Sequence, residues 1–402
     1  MRIALFTDTY FPRINGVGVS VKCFGEALAK AGHEVCVVCP AYKADTDIYT
    51  ETTDIKGFSL LRIPSIAIIF SKEDHYVKLS KWKHMMQAVD KFKPDVVHIN
   101  TEFSLGIFGM KYAMRNRLAL VYTSHTLWES YVENYIRFLP SAWARKFGRE
   151  IVCYFAKRAN VVITPTKRMC DLVSSYGIDR PIEVLPTGIE ESVSEIDEGK
   201  LPVFTEDIYR EFPALKNKKI LLYVGRVVKE KNLDMLFDVF ANVREKMPDT
   251  ALLFVGGGPE LEPLQQKAAS FAAVNDICFA GYRERNMLSY FYHLADVFVF
   301  PSRTETQGLV TLEAMRASRP VVAIGEMGTL DVMQGDNGGF MVPNDVDTFA
   351  DKVLLLLSDN ALYAQKSQEA RAWSAKWSMD YLTPKLEGIY RKAIEAAKSA
   401  AQ

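Results

Sequence analysis

The sequence lacks any run of eighteen apolar residues, so it holds no segment that would cross a membrane as a helix. It also lacks the close cysteine and histidine clusters that hold structural zinc, because its six cysteines are scattered over 402 residues. Lysine and arginine (49) balance aspartate and glutamate (49), so overall charge indicates no nucleic-acid partner. These absences exclude membrane-spanning, zinc-stabilised and strongly basic classes of protein.

The one close cysteine pair, Cys36 and Cys39, lies inside an apolar run that predicts a buried strand. Two free thiols in a reducing compartment are the expected state of such a pair. The amino terminus, residues 1–8, becomes charged too soon for a signal peptide. We therefore expect a cytoplasmic protein, and the lack of a spanning segment leaves attachment to a membrane face open.

Short apolar runs alternate with longer amphipathic ones in the first half, which predicts β-α-β units and a parallel sheet. The predicted strands are 2–7, 34–39, 96–99, 118–123 and 161–164. The predicted helices are 16–31, 75–91, 105–115, 142–157 and 167–176.

The second half repeats this organisation after an acidic, aperiodic stretch, Glu190–Glu198, where we expect the linker. Its predicted strands are 219–224, 251–255, 277–280, 297–300 and 320–323. A chain of 402 residues is too long for a single hydrophobic core. We therefore expect an N-terminal domain at 1–195 and a C-terminal domain at 196–376. The helical tail, about 377–402, has no strand to cover and could pack back on the first domain.

The richest segment follows the strand 297–300 and carries Glu305 and Glu313, with Gly308 opening a helix between them. Ligands of open parallel sheets bind at the carboxyl ends of strands, and a helix start there offers free N–H groups to a phosphate. Two carboxylates at such a place suit the hydroxyl groups of one anionic ligand. Two solvated surface glutamates are the alternative.

Other strand ends carry further candidates for the same ligand. Paired glycines permit close backbone approach, and fixed cations suit a diphosphate. In chain order these residues are Gly16, Val17 and Gly18 after the first strand; then Gly225, Arg226 and Lys231; then Gly257; and then Tyr282 and Arg283.

Taken in order, these motifs resemble the GT-B retaining glycosyltransferases of family 4, which share G-R-x-x-x-E-K, G-x-G-P, an aromatic near the base pocket and E-x7-E. The resemblance implies α/β architecture with two Rossmann-like, doubly wound parallel-sheet domains and an interdomain cleft. Two positions depart from the family pattern: Ser318 stands where glycine is frequent, and Asp331 where many members have glutamate.

The resemblance also implies roles in moving a hexose from a nucleotide diphosphate sugar. Arg226 and Lys231 would clamp the diphosphate, Glu305 would hold the hexose, and Glu313 would hold the ribose. The amides of Gly308, Leu309 and Val310 would meet the phosphate or sugar. Glu305 is not assigned as a nucleophile, because the family is usually described as reacting on one face of the sugar.

The first domain is similar to the diacylglycerol glucosyltransferases, which carry a comparable H-T-x-x-E-x-Y run. Here that run contains His125, Trp128, Glu129 and Tyr131. His125 matches the active-site histidine implied to contact the donor sugar, and the other three lie on the acceptor side. His98 has no such match, and we predict a packed core residue.

No metal or cofactor is expected beyond the nucleotide sugar itself. Asp45–Asp47 has a D-x-D pattern but lies in a polar loop away from the donor motifs, and the cation pair would replace a divalent ion. UDP-glucose is the default donor implied by the resemblance, with UDP-galactose and GDP-mannose open.

A basic segment, Lys111–Arg168, holds eleven Lys or Arg against three Asp or Glu in an otherwise neutral chain. Within it Ala142–Arg149 mixes bases with aromatics on a predicted helix, and His75–His84 does the same earlier in the chain. Such helices bind anionic lipid surfaces. We expect a peripheral protein at the inner face of the cytoplasmic membrane, with solvated helix faces as the alternative.

The main hypothesis is thus a glycosyltransferase that glycosylates a lipid hydroxyl such as that of diacylglycerol. A family 4 enzyme acting on a soluble sugar, a polyprenol or a lipopolysaccharide is the nearest alternative. A catalytically silent nucleotide-sugar-binding protein and a GT-B epimerase are two others.

Overall fold

The computed structural model describes residues 1–13, 15–42, 47–68, 71–77, 81–126, 128, 141–189, 196–271, 273–305, 307–335 and 337–401. Two compact units form: Met1–Gly188 with Met379–Gln402, and Ile189–Ser378. The first boundary falls just before the predicted linker.

The first unit is built on a mostly parallel sheet. Its strands are β1 (Arg2–Phe6), β2 (Glu34–Ala41), β3 (Tyr49–Thr52), β4 (Phe58–Ile68), β5 (Ser71–Val77), β6 (Val96–Ile99), β7 (Ala119–Thr123), β8 (Val161–Thr164) and β9 (Ile182–Val184). They lie in the order β3-β4-β2-β1-β6-β7-β8-β9, with β5 beside β4; β3 and β5 run antiparallel to β4, and the other pairs are parallel.

Both faces of this sheet are covered by helices. They are α1 (Gly16–Lys30), α2 (Trp82–Phe92), α3 (Ser104–Asn116), α4 (Ser141–Ala156), α5 (Lys167–Ser175) and the C-terminal helix (Met379–Ala401). Alternate residues of β1 enter two different cores, Ile3 and Leu5 on one side and Ala4 and Phe6 on the other. This explains the near-continuous apolar strands, because a parallel sheet buries both of its faces.

The C-terminal helix packs on the first unit, beside α1. Leu382, Leu386, Ile389 and Tyr390 are buried in the same core as Ile3 and Leu5. The tail therefore covers one face of the first sheet, although it follows the second unit in the chain.

The predicted helix His75–Lys91 is wrong at its start. His75, Tyr76 and Val77 end β5, where Tyr76 is exposed and Val77 is buried, and helix begins only at Trp82. Period-two alternation and pairing with β4 override the helical pattern there. The basic run His75–His84 is consequently not one helix, and part of it lies outside the described residues.

The second unit carries a fully parallel sheet in the order β12-β11-β10-β13-β14-β15. Its strands are β10 (Lys219–Val224), β11 (Thr250–Val255), β12 (Ile277–Gly281), β13 (Val297–Phe300), β14 (Val321–Ile324) and β15 (Gly339–Val342). Its helices are α6 (Leu201–Glu211), α7 (Met235–Lys246), α8 (Leu261–Ala268), α9 (Leu288–Leu294), α10 (Leu309–Arg316), α11 (Gly328–Met333), α12 (Val346–Ser358) and α13 (Asn360–Ser374).

Each sheet has a point where successive crossovers change direction, and ligands bind at such points in open α/β sheets. In the second unit this point lies between β10 and β13, and in the first unit between β1 and β6. Over the described part of the chain, no helix combines the length and the hydropathy that crossing a bilayer requires.

Candidate active site

The switch point of the second unit brings Lys231 and Glu305 together. Lys231 ends a short 3-10 turn after β10, and Glu305 lies in the loop after β13. The Lys231 Nζ donates to Glu305 Oε2 at 2.7 Å, and the two side chains are 14% and 22% exposed. The backbone carbonyl of Glu305 accepts the Gly328 amide at 2.7 Å, which fixes the loop from the other side. A partly accessible cation and carboxylate are thus held at the strand ends.

The neighbouring strand ends approach each other through glycine. Gly256 follows β11 with φ of 146°, and a Cβ atom there would lie 1.8 Å from the carbonyl oxygen of Gly225. No side chain fits such a contact, so glycine at 256 lets the loops after β10 and β11 pack backbone to backbone. The side chain of Arg226 is exposed beside this contact, and its carbonyl accepts the Tyr223 hydroxyl at 2.9 Å.

Helix α10 begins with an open turn at Gly308. This residue is the N-cap in a left-handed conformation (φ 63°), and none of the described side chains caps the helix. The amides of Leu309 and Val310 lie in the first turn, where intrahelical partners are lacking and the helix dipole is positive. The prediction that Gly308 opens the helix is confirmed, and the turn has the chemistry of an anion site.

Buried polar atoms without a partner among the described residues gather along the segments that form this turn. Four side chains carry them: Ser302, Gln307, Thr311 and Thr329. A Cβ atom built on Gly308 would lie 3.7 Å from both the Thr311 hydroxyl oxygen and Glu305, so the hydroxyl lies beside the turn. Unpaired buried hydroxyls are costly unless a ligand or water bonds to them.

Glu313 lies in the second turn of α10, and its side chain is only 2% exposed. Its Oε2 accepts the Tyr292 hydroxyl at 2.7 Å, and its Oε1 accepts an Arg285 N–H at 2.9 Å. Tyr292 and Arg285 were not predicted from the sequence, since neither belongs to a motif and both come from the α9 region. The two donors hold the carboxylate in one orientation.

The remaining donor-side candidates have different surroundings. Tyr282 is exposed, and Gly257 lies beside its Cβ, at 3.6 Å from a Cβ built on the glycine. Arg283 instead pairs with Glu211 of α6 and donates to the Ala280 carbonyl at 2.9 Å. Arg283 is thus held by its own unit, and its role in donor binding stays a prediction.

In the first unit, the loop after β1 leads into Gly16, Val17 and Gly18 at the start of α1. The side chain of Asn15 caps this helix by accepting the Gly18 amide at 2.8 Å, and its Nδ2 donates to Thr9. The cap uses one amide of the first turn, and those of Gly16 and Val17 have no hydrogen-bond acceptor among the described residues.

His125 follows β7 at the same edge of this sheet. Its Nε2 lies 3.2 Å from Oδ1 of Asn100, which follows β6. Burial lowers the pKa of His125 to about 4, so the ring is neutral at physiological pH. His98 is a buried core residue, as predicted, with Tyr390 and Thr123 hydroxyls on its two ring nitrogens at 2.8 and 2.7 Å.

Two buried carboxyl groups complete this edge. Asp8, after β1, accepts hydrogen bonds from Thr101, Ser104 and the first amides of α3. Glu102 accepts the Tyr122 hydroxyl at 2.6 Å. Burial raises its pKa to about 7, while hydrogen bonds from Tyr122 and Trp128 act in the opposite direction. Neither acid was predicted from the sequence, because neither belongs to a catalytic motif.

Of the three residues predicted on the acceptor side, the structure describes Trp128. Its ring is buried, with its centroid 5.5 Å from that of Phe103. Glu129 and Tyr131 lie outside the described residues. Within the described ranges, no group of three or more His, Cys, Asp or Glu could hold a metal ion.

The pKa of Glu102 predicts a pH-dependent stability. The folded chain keeps a proton that the unfolded chain releases above about pH 4.5, so the free energy of unfolding falls as pH rises to about 7. Glu102→Gln should remove this contribution, about 3 kcal/mol across the interval. Urea unfolding at several pH values measures it.

Tyr122→Phe, which removes a hydrogen-bond donor to the Glu102 carboxylate, should extend the fall in unfolding free energy to higher pH. If the free energy of unfolding had the same dependence on pH in Glu102→Gln and in the wild type, the raised pKa of Glu102 would be contradicted.

The architecture and strand-end chemistry define a GT-B glycosyltransferase. The chain matches the family model "Glycosyltransferase Family 4" over residues 14–193 and "Glycosyl transferases group 1" over residues 205–373. In fold it is similar to the crystal structure of Anabaena HepE in complex with UDP and glucose, with a TM-score of 0.71 and 15% identity over 97% of this chain and 99% of that one.

Two relatives are similar in sequence over most of the chain. The alpha-monoglucosyldiacylglycerol synthase of Acholeplasma laidlawii is 31% identical over 360 residues, 86% of each protein. The enzyme of the same name from Streptococcus pneumoniae strain R6 is 30% identical over 328 residues, 81% of this chain and 71% of the relative. The chain belongs to the family 4 glycosyltransferases of the GT-B fold.

Proposed function

We propose that this glycosyltransferase moves a hexose, with glucose as the first expectation, from a nucleotide diphosphate sugar to the hydroxyl of a lipid such as diacylglycerol. The observation that carries the donor half is the Lys231–Glu305 pair at the switch point, beside the open first turn of α10. A cation for the diphosphate, a carboxylate for sugar hydroxyls and free amides are the groups such a donor needs.

In the proposed reaction the bond between the anomeric carbon and the phosphate oxygen breaks, and a bond to the acceptor oxygen forms on the same face. The acceptor proton goes to the leaving phosphate oxygen. Lys231 and Arg226 offset the charge that grows there, in place of a divalent ion. Glu305 holds hexose hydroxyls, Glu313 holds the ribose, and His125 contacts the sugar near the reacting carbon.

The lipid acceptor is supported by similarity to two glucosyldiacylglycerol synthases and by the exposed face of α4. On that helix Trp143 and Phe147 are 68% and 54% exposed, one turn apart, with exposed bases beside them at Arg145, Lys146 and Arg149. Aromatic side chains flanked by bases suit the interface of an anionic bilayer. We propose that α4 docks the protein on the inner face of the cytoplasmic membrane.

Replacing Trp143 and Phe147 together with serine should weaken binding to anionic vesicles by at least about 100-fold, because each buried aromatic contributes roughly 1.5–3 kcal/mol. Flotation with phosphatidylglycerol vesicles, at low and high salt, measures the change. Tyr381→Ser, which alters an exposed aromatic of the C-terminal helix, should bind as the wild type does. Absence of wild-type binding under both salt conditions would refute the docking face.

Incubation of the purified chain with labelled UDP-glucose, UDP-galactose or GDP-mannose, and with vesicles containing diacylglycerol, tests the whole proposal. We expect labelled glycolipid from UDP-glucose, an α-anomeric product by NMR, and full activity in EDTA. A labelled water-soluble product would redirect the acceptor to a sugar. Binding of UDP without any transfer would indicate a silent binding protein, and a glycosyl adduct trapped on Glu305 would overturn the one-face mechanism.

A further inference from the structure

Asn100 has an anchored backbone and a side chain that faces His125. Its backbone N–H donates to the Phe6 carbonyl at 2.9 Å, and this bond fixes Asn100 between β1 and β6. Its Oδ1 lies 3.2 Å from His125 Nε2, and its Nδ2 lies 3.5 Å from the His98 carbonyl oxygen. If the side-chain amide were turned by 180°, Oδ1 would face the His98 carbonyl oxygen, and two acceptors would then face each other. The orientation described is therefore the favourable one.

This geometry decides which ring nitrogen of His125 carries the proton. An amide oxygen only accepts, so Nε2 must donate, and a neutral ring then has a lone pair on Nδ1. Burial keeps the ring neutral, as described above. The second ring nitrogen is thus an acceptor, suited to a hydroxyl group.

We propose that Asn100 is a positioning residue that holds His125 in the Nε2–H tautomer, so that Nδ1 accepts a hydrogen bond from a hydroxyl of the donor sugar. The proton on Nε2 follows from geometry alone, whereas the contact with the sugar rests on the proposed function. The ligand chemistry required at Nδ1 is an O–H donor rather than a phosphate or carboxylate oxygen.

The other titratable groups described on the neighbouring strand ends have partners of their own. His98 on β6 has hydroxyls on both ring nitrogens, from Tyr390 and Thr123. The carboxyl of Asp8, after β1, accepts four hydrogen bonds from Thr101 to Gly106, and Glu102 accepts from Tyr122. Among the described residues, Asn100 is accordingly the group that sets the His125 tautomer.

Nitrogen chemical shifts of the histidine rings test the tautomer without any turnover. The chain has six histidines, so loss of one signal in His125→Gln identifies the residue. In the wild type at pH 7 we expect Nε2 protonated and Nδ1 unprotonated. Asn100→Ala should give a mixture of tautomers. Asn100→Asp should raise the pKa of His125 by one unit or more and yield a doubly protonated ring at mildly acid pH.

Transfer kinetics supply the second readout. Asn100→Ala should lower kcat/KM about tenfold. Asn100→Asp should move the acid limb of the pH profile upward by at least one unit and regain activity at high pH. Asn160→Ala is the matched control, because Asn160 Oδ1 also accepts a hydrogen bond, from the Leu120 amide at 2.8 Å, at the other end of β7. It should lower stability without moving the pH profile.

The nitrogen chemical shifts and the transfer kinetics distinguish failure of the positioning role of Asn100 from failure of the proposed function. An Nδ1–H tautomer in the wild type, or an unchanged His125 pKa in Asn100→Asp, overturns the proposal whatever the enzyme transfers. The expected tautomer shifts without any transfer from the nucleotide sugars would refute the proposed function and the sugar contact, while the positioning role of Asn100 would stand.

Discussion

Lys231→Ala is expected to lower kcat about 100-fold to 1,000-fold, with a smaller change in KM. In the proposed reaction Lys231 offsets the charge that grows on the leaving phosphate, and removing one such preorganised donor typically costs this much. The substitution also frees Glu305, whose carboxylate lies 2.7 Å from the lysine nitrogen. Because the pair is partly exposed, we expect only about 1 kcal/mol of lost stability. Steady-state transfer assays and thermal unfolding measure the two effects.

Lys229→Ala is the matched control, since Lys229 is exposed in the same 3-10 turn and has no part in the proposed site. It should leave kcat within about twofold of the wild type, as surface substitutions usually do. Lys231→Arg should restore part of the activity, because the charge is kept while its shape and reach change. Near-normal turnover in a folded Lys231→Ala protein would remove the clamp role.

Glu313→Gln is expected to weaken UDP binding about 10-fold to 100-fold, with the loss arising at the ribose. Hydrogen bonds to a charged acceptor contribute about 1.5–3 kcal/mol, and the amide keeps only one acceptor oxygen. Tyr292 and Arg285 both donate to this carboxylate, so one of them would face the new NH2 group. Lower stability should accompany the weaker binding, and calorimetric titration with UDP measures the affinity.

Tyr292→Phe separates the two effects, because it removes one donor and keeps the carboxylate. It should cost about 1 kcal/mol of stability and change the UDP affinity less than Glu313→Gln does. Glu326→Gln alters a partly exposed glutamate that pairs with Arg303, and it should leave UDP binding unchanged. Wild-type affinity in a folded Glu313→Gln protein would show that the ribose does not use this residue.

The central parallel strands and the strand-end motifs were predictable, because such strands are short apolar runs and the helix start at Gly308 follows one of them. Strands β4, β9 and β15 were not predicted, and neither were the antiparallel strands β3 and β5, whose register depends on pairing with β4 rather than on a local pattern. Partners of the site residues were also hidden. Arg285 lies 28 positions before Glu313, and Asn100 lies 25 before His125, so only the folded chain brings them together.

One departure from the family pattern acquires a physical meaning in the structure. Ser318, where the family frequently has glycine, adopts a left-handed conformation with φ of 59° just after α10. A side chain in this region is strained by roughly 1 kcal/mol relative to glycine. The family glycine is thus explained by backbone geometry rather than by contact with a substrate.

The return of the C-terminal helix to the first unit means that the second unit is an insertion in the chain of the first. Its entry and exit are neighbours, because the Ile189 amide donates to the Trp377 carbonyl at 2.9 Å. The second unit can therefore be excised as one continuous segment, whereas the first survives excision only if Gly188 is rejoined to Met379. Truncation after residue 378 would instead strip the cover from one face of the first sheet and expose its core.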